Sequence, residues 1–224
     1  GAHDLESLDR NYAQHNIPCD GLWLDIDYMD RFKVFTINHE ALPSPTKTIA
    51  QLRKKNRRVM AILDPGVKVA DDYDVCREGL DGKLFCQNPE GHPFIGFVWP
   101  GRTHFPDFSL SETREWWKGR VSRFAKLGFD GAWLDLNAPS VGAVEWDDMR
   151  FRHGQWPHRA FHNQYALGRA VASHEGFLDA RPDERPFLLS RSGCFGSNRF
   201  SALWTGDNFS NYHHLRQAIP MSLN

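Results

Sequence analysis

Short apolar runs alternate along the chain with longer segments in which apolar residues recur every three or four positions. A short continuous apolar run is typical of a buried strand, whereas the longer spacing is typical of an amphipathic helix. The runs predict strands over residues 21–24, 59–63, 131–134, 186–189 and 202–204. The helical spacing predicts helices over residues 4–15, 45–55, 111–127, 162–174 and 210–219. Ser44 is predicted to cap the second helix, with Pro45 at its first position.

Five strands separated largely by helices or long loops predict a parallel α/β sheet. No repeat, low-complexity tract or Gly/Ser linker interrupts the chain, so we expect one structural unit over residues 1–224. Residues 65–108 are rich in glycine, proline and aspartate and are too long for an ordinary connection. We predict a long loop or a small excursion there, and segments of that kind often build functional sites.

The composition argues against several classes of function. Twenty-seven Lys and Arg balance 28 Asp and Glu, so the formal net charge is −1 and we expect no nucleic-acid partner. No apolar run approaches the roughly 20 residues of a membrane span, and the first residues lack a signal-peptide pattern. We therefore expect no membrane partner and a cytoplasmic location. The four cysteines have no CxxC spacing, which argues against a zinc ribbon or a thioredoxin-like site.

Charged residues follow all five predicted strands. Four strands are followed by Asp25, Asp64, Asp135 and Asp207, and the remaining strand is followed by Arg191. The carboxyl ends of parallel strands meet on one face, which is where (β/α)8 enzymes keep their catalytic residues. We therefore expect these carboxylates to be crowded together. Such crowding costs Coulomb energy, and it is useful where a cation, a proton or a developing positive charge lies among the acids.

Three interpretations fit an acidic cluster of this kind. Asp25 and Asp27 form an Asp-x-Asp pair on one face of a strand, a spacing with which nucleotide-sugar transferases hold a metal-bound diphosphate. Two of the aspartates would alternatively act as nucleophile and general acid/base around an oxocarbenium-like transition state, as in glycoside hydrolysis. A single aspartate is equally well explained by a helix cap or a salt bridge, although four at equivalent positions favour a site.

Six motifs, in order along nearly the whole chain, resemble those of glycoside hydrolase family 31, a family of retaining α-glucosidases and α-xylosidases. They are IPCDGLWLDIDYMD at 17–30, ILDPG at 62–66, VWPG at 98–101, WLDLN at 133–137, SRSG at 190–193 and WTGDN at 204–208. Because all six occur in order, the resemblance is specific. It implies a (β/α)8 TIM-barrel catalytic domain of which this chain holds about strands 2 to 6.

The resemblance also implies a function and a set of site residues. The implied enzyme is a retaining α-glycosidase that hydrolyses α-glucosidic bonds of oligosaccharides through a covalent intermediate, with Asp135 as nucleophile and Asp207 as acid/base. The residues that match the substrate ligands of the family are Asp25, Asp64, Trp99, Trp133, Arg191 and Trp204. The resemblance implies no metal and no organic cofactor. The implied partners within a longer chain are the remaining barrel strands and flanking β-sandwich domains.

One position departs from the family pattern. The pattern around the nucleophile is Asp-Met-Asn-Glu-Pro, and here the chain reads Asp135-Leu136-Asn137-Ala138-Pro139. Alanine thus replaces a carboxylate close to the expected nucleophile. The change leaves open an α-transglucosylase, in which a sugar hydroxyl replaces water as acceptor, and a non-catalytic sugar-binding relative or inactive fragment.

Overall fold

Short strands and helices follow one another along the computed structural model, which describes residues 1–223. The strands are β1 (Gly21–Leu24), β2 (Arg58–Ile62), β3 (Val67–Lys68), β4 (Gly96–Val98), β5 (Gly101–His104), β6 (Gly131–Leu134), β7 (Phe187–Ser190) and β8 (Ala202–Leu203). The α-helices are α1 (Ala2–Gln14), α2 (Pro45–Lys54), α3 (Asp74–Asp81), α4 (Ser111–Ala125), α5 (His158–Phe161), α6 (Tyr165–Ala180) and α7 (Tyr212–Leu223).

The main sheet contains β1, β2, β6, β7 and β8 in that order, and each neighbouring pair is parallel. Its register places Met60 of β2 opposite Gly131 of β6 and Ser190 of β7 opposite Leu203 of β8. Helices lie in the connections that join the first four of these strands. The predicted parallel α/β sheet is therefore confirmed, and β1 and β8 form its two edges.

Buried and exposed side chains alternate along β1, and this alternation shows which face of the sheet the helices cover. Leu22 and Leu24 are buried in the core that also contains Ile49 of α2, whereas Trp23 between them is 38% exposed. Successive strand side chains point to opposite faces, so Trp23 lies on the face turned away from α2. There it packs edge-to-face against Phe187, with the ring centroids 6.0 Å apart. The helix-covered face therefore supplies the core, and the other face is open.

Helices α4 and α6 pack closely against each other. The fully buried Trp117 of α4 donates a hydrogen bond from Nε1 to Ser173 Oγ of α6 at 3.0 Å. The approach requires glycine at position 176, because a Cβ there would lie 2.6 Å from the carbonyl oxygen of Lys118. This close contact fixes the position of α6 behind the sheet.

The predicted elements differ from the observed ones mainly at the helix ends. The helix predicted over 162–174 is α6, which runs from Tyr165 to Ala180 and follows the short helix α5. Ser44 lies at the N-cap of α2, but its side chain makes no capping hydrogen bond with the described residues. The predicted cap interaction is therefore wrong. Pro45 does occupy the first helical position, where its missing N–H costs nothing.

Residues 65–108 contain α3 and a second, antiparallel sheet in which β5 pairs with both β3 and β4. Val67 lies opposite His104, and Gly96 lies opposite Thr103. The β4–β5 hairpin is tight, and Trp99 at its tip is 58% exposed. The excursion therefore presents two large aromatic side chains to solvent, Trp99 and the 51% exposed Phe97.

Three further observations concern residues 1–223. No described helix is both long enough and apolar enough to cross a membrane. Within the same range, no group of three or more His, Cys, Asp or Glu side chains is placed to hold a metal ion. Each of the four cysteines is free.

Contact between β6 and β7 leads to a test of the packing. A Cβ at Gly131 would lie 1.9 Å from the carbonyl oxygen of Phe187, so Gly131→Ala forces two hydrogen-bonded strands apart. We expect this substitution to lower the free energy of unfolding by about 1 to 3 kcal/mol, as overpacking of a core does. Thermal unfolding followed by calorimetry measures the effect.

The matched control is Gly119→Ala on the exposed side of α4. A Cβ at Gly119 meets no described atom within 4 Å, and alanine favours the helix by roughly 0.8 to 1 kcal/mol over glycine. This variant is expected to be slightly more stable than the parent. Equal effects of the two substitutions would contradict the described strand packing.

Candidate active site

Charged side chains from neighbouring strands meet at the carboxyl end of the main sheet. Asp25 directly follows β1, Asp135 follows β6 and Arg191 follows β7. Asp64 lies two residues beyond β2, and Asp207 lies in the loop after β8. Because the strands are parallel and adjacent, these side chains are delivered to one edge of the sheet.

Arg191 links the carboxylates of Asp135 and Asp207. Its Nε pairs with Oδ1 of Asp135, and its Nη2 donates to Oδ2 of the same carboxylate at 2.9 Å. The same Nη2 also donates to Oδ2 of Asp207 at 2.9 Å. The Oδ2 atoms of the two aspartates therefore lie no more than twice 2.9 Å apart. Charge-assisted bonds of this fork-like kind are stronger and more directional than neutral ones.

The two linked carboxylates have different environments. The Asp135 side chain is 8% exposed, whereas that of Asp207 is 79% exposed. Asp207 lies on a loop that contains Gly206 in the left-handed conformation, with a φ of 84°. One acid is thus fixed at the end of a central strand, and the other lies at the solvent side of the same arginine.

The chain turns sharply directly after Asp135. Leu136 adopts a φ of 50°, which costs a non-glycine residue roughly 1 to 2 kcal/mol. Its N–H donates to Oδ1 of Asp135 at 2.7 Å. The buried Asn137 then donates to Ser190 Oγ at 2.7 Å and accepts from the N–H of Ser192 at 3.0 Å. These bonds tie the turn to the end of β7 and fix the orientation of the Asp135 carboxylate.

Asp64 is a buried acid with an unusual ionisation. It is 5% exposed, and its Oδ1 has no hydrogen-bond partner among the described residues. Burial raises the pKa of Asp64 to about 7, the positive charges of Arg169 and Arg191 oppose the rise, and the negative charges of Asp135 and Asp25 add to it. A carboxyl group with this pKa changes charge near neutral pH.

Asp25 lies at the exposed end of β1. Its Oδ1 accepts the N–H of Ile26 at 2.7 Å, which caps the short 3₁₀ turn that follows. The capping role suggested for a lone aspartate is thus present here. The electrostatic effect of Asp25 on Asp64 also shows that the two acids share one local environment.

Of the three tryptophans predicted to contact substrate, the structure brings two together. Trp133 and Trp204 pack edge-to-face with centroids 5.9 Å apart, and the Arg191 guanidinium lies 5.8 Å from the Trp204 ring centroid. Within residues 1–223, Trp99 makes no ring or cation–π contact with another predicted site residue. It lies at the tip of the β4–β5 hairpin.

One residue of the site was missed at the sequence level. Arg169 of α6 is fully buried, and its Nη1 donates to the backbone carbonyl oxygen of Asp135 at 2.7 Å. Burial lowers the pKa of Arg169 to about 10, while Asp64 and Asp135 oppose the change. The helical spacing contained a signal, since Arg169 lies four residues after the buried Tyr165 and four before the buried Ser173.

Two acidic groups held at the carboxyl end of a parallel sheet, beside aromatic rings, are the arrangement of barrel-type glycoside hydrolases. The chain matches the model of the glycosyl hydrolases family 31 TIM-barrel domain over residues 1–224. It therefore belongs to glycoside hydrolase family 31 and holds part of the TIM-barrel domain.

Individual relatives agree with this assignment. The chain is 36% identical over 226 residues to alpha-glucosidase 2 of Bacillus thermoamyloliquefaciens, covering 99% of the chain and 29% of that protein. It is 36% identical over 230 residues to human neutral alpha-glucosidase C, covering 98% of the chain and 25% of that protein. The crystal structure of glucosidase II alpha subunit in its Glc1Man2-bound form matches with a TM-score of 0.92 and 34% identity, over 100% of the chain and 25% of that structure. The chain thus spans between a quarter and a third of the length of these relatives.

The raised pKa of Asp64 predicts a pH-dependent stability. Below about pH 4 the group is protonated in both states, and above about pH 7 it is ionised in both. Between these values only the folded state holds the proton, so the folded protein loses stability as the pH rises. Asp64→Asn lacks this loss. Its free energy of unfolding relative to that of the parent is therefore expected to rise by about 4 kcal/mol between pH 4 and pH 8. The free energy of unfolding of both proteins, measured as a function of pH, tests this prediction.

Asp9→Asn is the control of opposite sign. A hydrogen bond from Lys55 at 2.7 Å, with a second from Arg57 at 2.9 Å, lowers the pKa of the buried Asp9. Its contribution to stability is present above the unfolded pKa of 3.8 and is lost as the pH falls through the lower folded value. Asp9→Asn should therefore be less stable than the parent at neutral pH. A gain for Asp64→Asn that does not change with pH would contradict the account of Asp64.

Proposed function

We propose that this chain is the catalytic part of a retaining α-glucosidase that hydrolyses α-glucosidic bonds of oligosaccharides. Support comes from membership of glycoside hydrolase family 31 and from relatives that are named alpha-glucosidases. The chain spans 29% and 25% of the first two of these relatives, so the activity of the whole protein is part of the proposal.

In the proposed mechanism, Asp135 attacks the anomeric carbon and forms a covalent glycosyl-aspartate as the bond to the leaving oxygen breaks. Asp207 donates a proton to that oxygen. In the second step Asp207 removes a proton from water, which attacks the anomeric carbon and releases Asp135. The burial of Asp135 at a strand end suits a nucleophile that must be fixed in place, and the exposure of Asp207 suits a group that exchanges protons with water.

The observation that supports this mechanism most strongly is the sharing of one Arg191 nitrogen between the two acids. Retaining glycosidases hold their carboxyl groups about 5 to 5.5 Å apart, whereas inverting enzymes need roughly 6.5 to 9.5 Å to admit a water molecule. Oxygen atoms that both lie 2.9 Å from one nitrogen fit the shorter separation.

The other predicted residues would form the subsite for the glycosyl ring. Asp64 and Asp25 supply carboxylate oxygens that can accept hydrogen bonds from sugar hydroxyls. Trp133 and Trp204 supply apolar ring faces, against which the C–H faces of a sugar can pack. Trp99, exposed at the tip of the β4–β5 hairpin, would join the subsite if the hairpin extends over the sugar.

We propose that a longer chain completes the barrel. The main sheet has five strands, whereas a closed barrel of this type has eight. The open face supports this proposal, because Trp23 and Phe187 lie there with 38% and 48% of their surfaces exposed. Further strands packed in this position would bury both rings.

Removal of either proposed catalytic carboxylate provides a test in the complete protein. We expect Asp135→Asn and Asp207→Asn each to lower kcat/KM for an α-glucoside by at least about a thousandfold. For Asp207→Asn the loss should be much smaller with α-glucosyl fluoride, because fluoride leaves with little need of a proton. Steady-state kinetics with both substrates measures the difference.

Asp27→Asn is the matched control, because Asp27 is an exposed acid two residues from Asp25. Its activity is expected to stay within about twofold of the parent. A metal-dependent transferase that uses the Asp-x-Asp pair would instead lose activity in this variant.

A fluorinated glucosyl fluoride tests the covalent step, because it forms a glycosyl-enzyme that hydrolyses slowly. Mass spectrometry should find the added sugar on the peptide that contains Asp135. A complete protein that hydrolyses the glucoside without forming this adduct would contradict the nucleophile assignment, and one with neither activity nor adduct would favour a sugar-binding role. Excess acceptor sugar should leave hydrolysis as the main reaction, and dominant transfer to that sugar would favour the transglucosylase.

A further inference from the structure

Arg169 is a buried cation close to the proposed nucleophile. It is 0% exposed, and its guanidinium lies 5.6 Å from the ring centroid of the buried Trp117. Its Nη1 donates to the carbonyl oxygen of Asp135 at 2.7 Å. Nε and Nη2 have no hydrogen-bond partner among the described residues. A buried charge with only one hydrogen bond is costly, so its retention calls for an electrostatic reason.

The charges around Arg169 provide that reason. Asp64 makes the largest favourable electrostatic contribution to its charged form, followed by Tyr165 and Asp135. Asp64 is itself buried, with an oxygen that lacks a partner in the described part of the chain. Two buried groups of opposite charge, neither fully hydrogen-bonded, thus stabilise each other's charged forms through the protein interior.

We propose that Arg169 is a positioning residue of the active site, which fixes the main chain at Asp135 and supplies the buried positive charge that favours the ionised form of Asp64. The inference rests on the proposed function, because it assigns to Asp64 a hydroxyl-binding role that needs the carboxylate. The hydrogen bond to the Asp135 carbonyl lies directly before Leu136, whose left-handed conformation must be held in place. The helix α6 thereby acts on the site from behind the sheet.

Other charged groups also influence the ionisation of Asp64, which Arg169 shifts toward the carboxylate form. Asp25 after β1 and Asp135 after β6 disfavour the Asp64 charge, and Arg191 after β7 favours it. The phenol of Tyr28 donates to the carbonyl oxygen of Ile62 at 2.8 Å. Burial and, to a smaller extent, the negative charge of Asp64 raise the pKa of that phenol well above its ordinary value, so it stays neutral. Arg169 is the larger of the two opposing positive influences on Asp64.

The sign of the effect follows from this balance. Loss of a nearby positive charge disfavours the carboxylate, so the pKa of Asp64 rises further above its ordinary value. The pH profile of kcat/KM reports ionisations of the free enzyme, so its acidic limb would then move to higher pH. A purely structural role for Arg169 would lower activity by the same factor at every pH.

The test compares Arg169→Lys with Arg169→Gln in the complete protein. Both side chains can donate a hydrogen bond to the Asp135 carbonyl, but only lysine keeps the charge. We expect the glutamine variant to move the acidic limb of kcat/KM upward by about one unit or more, and the lysine variant to keep the limb close to its parental position. Arg120→Gln is the matched control, since Arg120 is a buried arginine of α4 that pairs with Asp74 and Glu78.

The outcomes separate this inference from the proposed function. A parent protein that is active, with a limb that stays in place in Arg169→Gln or moves equally in Arg169→Lys, overturns the role of Arg169 and leaves the proposed function intact. Absence of turnover in the parent overturns the proposed function.

In that case the pH dependence of unfolding still reads the interaction of Arg169 with Asp64. Arg169→Gln should extend the pH range over which stability falls to values above about pH 7, whereas Arg120→Gln should not. An unchanged range in Arg169→Gln overturns the inference.

Discussion

The negative charges of Asp25 and Asp135 disfavour ionisation of the buried Asp64, and the guanidinium groups of Arg169 and Arg191 favour it. Two like charges 4 Å apart near a protein surface interact by about 4 kcal/mol, which is a large fraction of the stability of a domain. Arg191 binds Asp135 from the solvent side, and Arg169 acts from the helix layer behind the sheet. Both arginines therefore lower the electrostatic cost of placing acids at this edge of the sheet.

The parallel topology brings these groups together, and the site in turn contains features that cost stability. A left-handed leucine follows Asp135, and the buried Asp64 is only partly compensated. Neither feature helps the chain to fold, and the turn at Leu136 holds the Asp135 carboxylate through the hydrogen bond from its N–H. Helix packing supplies the opposing stability, because α4 and α6 form close contacts through Trp117 and Gly176. A rigid layer of helices thus holds a strained, charged edge.

Strand positions and the clustering of acids could be predicted because both follow from short-range patterns. Apolar runs marked the five strands of the main sheet but not β3, β4 or β5, and the charged residues that follow these runs indicated Asp25, Asp135 and Arg191 at one edge of the sheet. Arg169 was not found, because a lone arginine in a helical segment gives no indication of which charge lies opposite it in space. The position of Trp99 at the exposed tip of a hairpin depends on the path of that hairpin, which tertiary contacts decide. Ser44 has the right residue type for a cap but forms no such bond with the described residues.

The central claim is that Asp135 and Asp207 flank one sugar ring, with Arg191 hydrogen-bonded to both carboxylates. A crystal structure of the complete protein with a glucose-configured inhibitor tests this most directly. The account predicts carboxyl groups about 5 to 5.5 Å apart, on opposite sides of the anomeric carbon, with Asp64 hydrogen-bonded to a ring hydroxyl. A structure in which the two carboxylates face different surfaces, or in which the sugar binds elsewhere on the molecule, would contradict it.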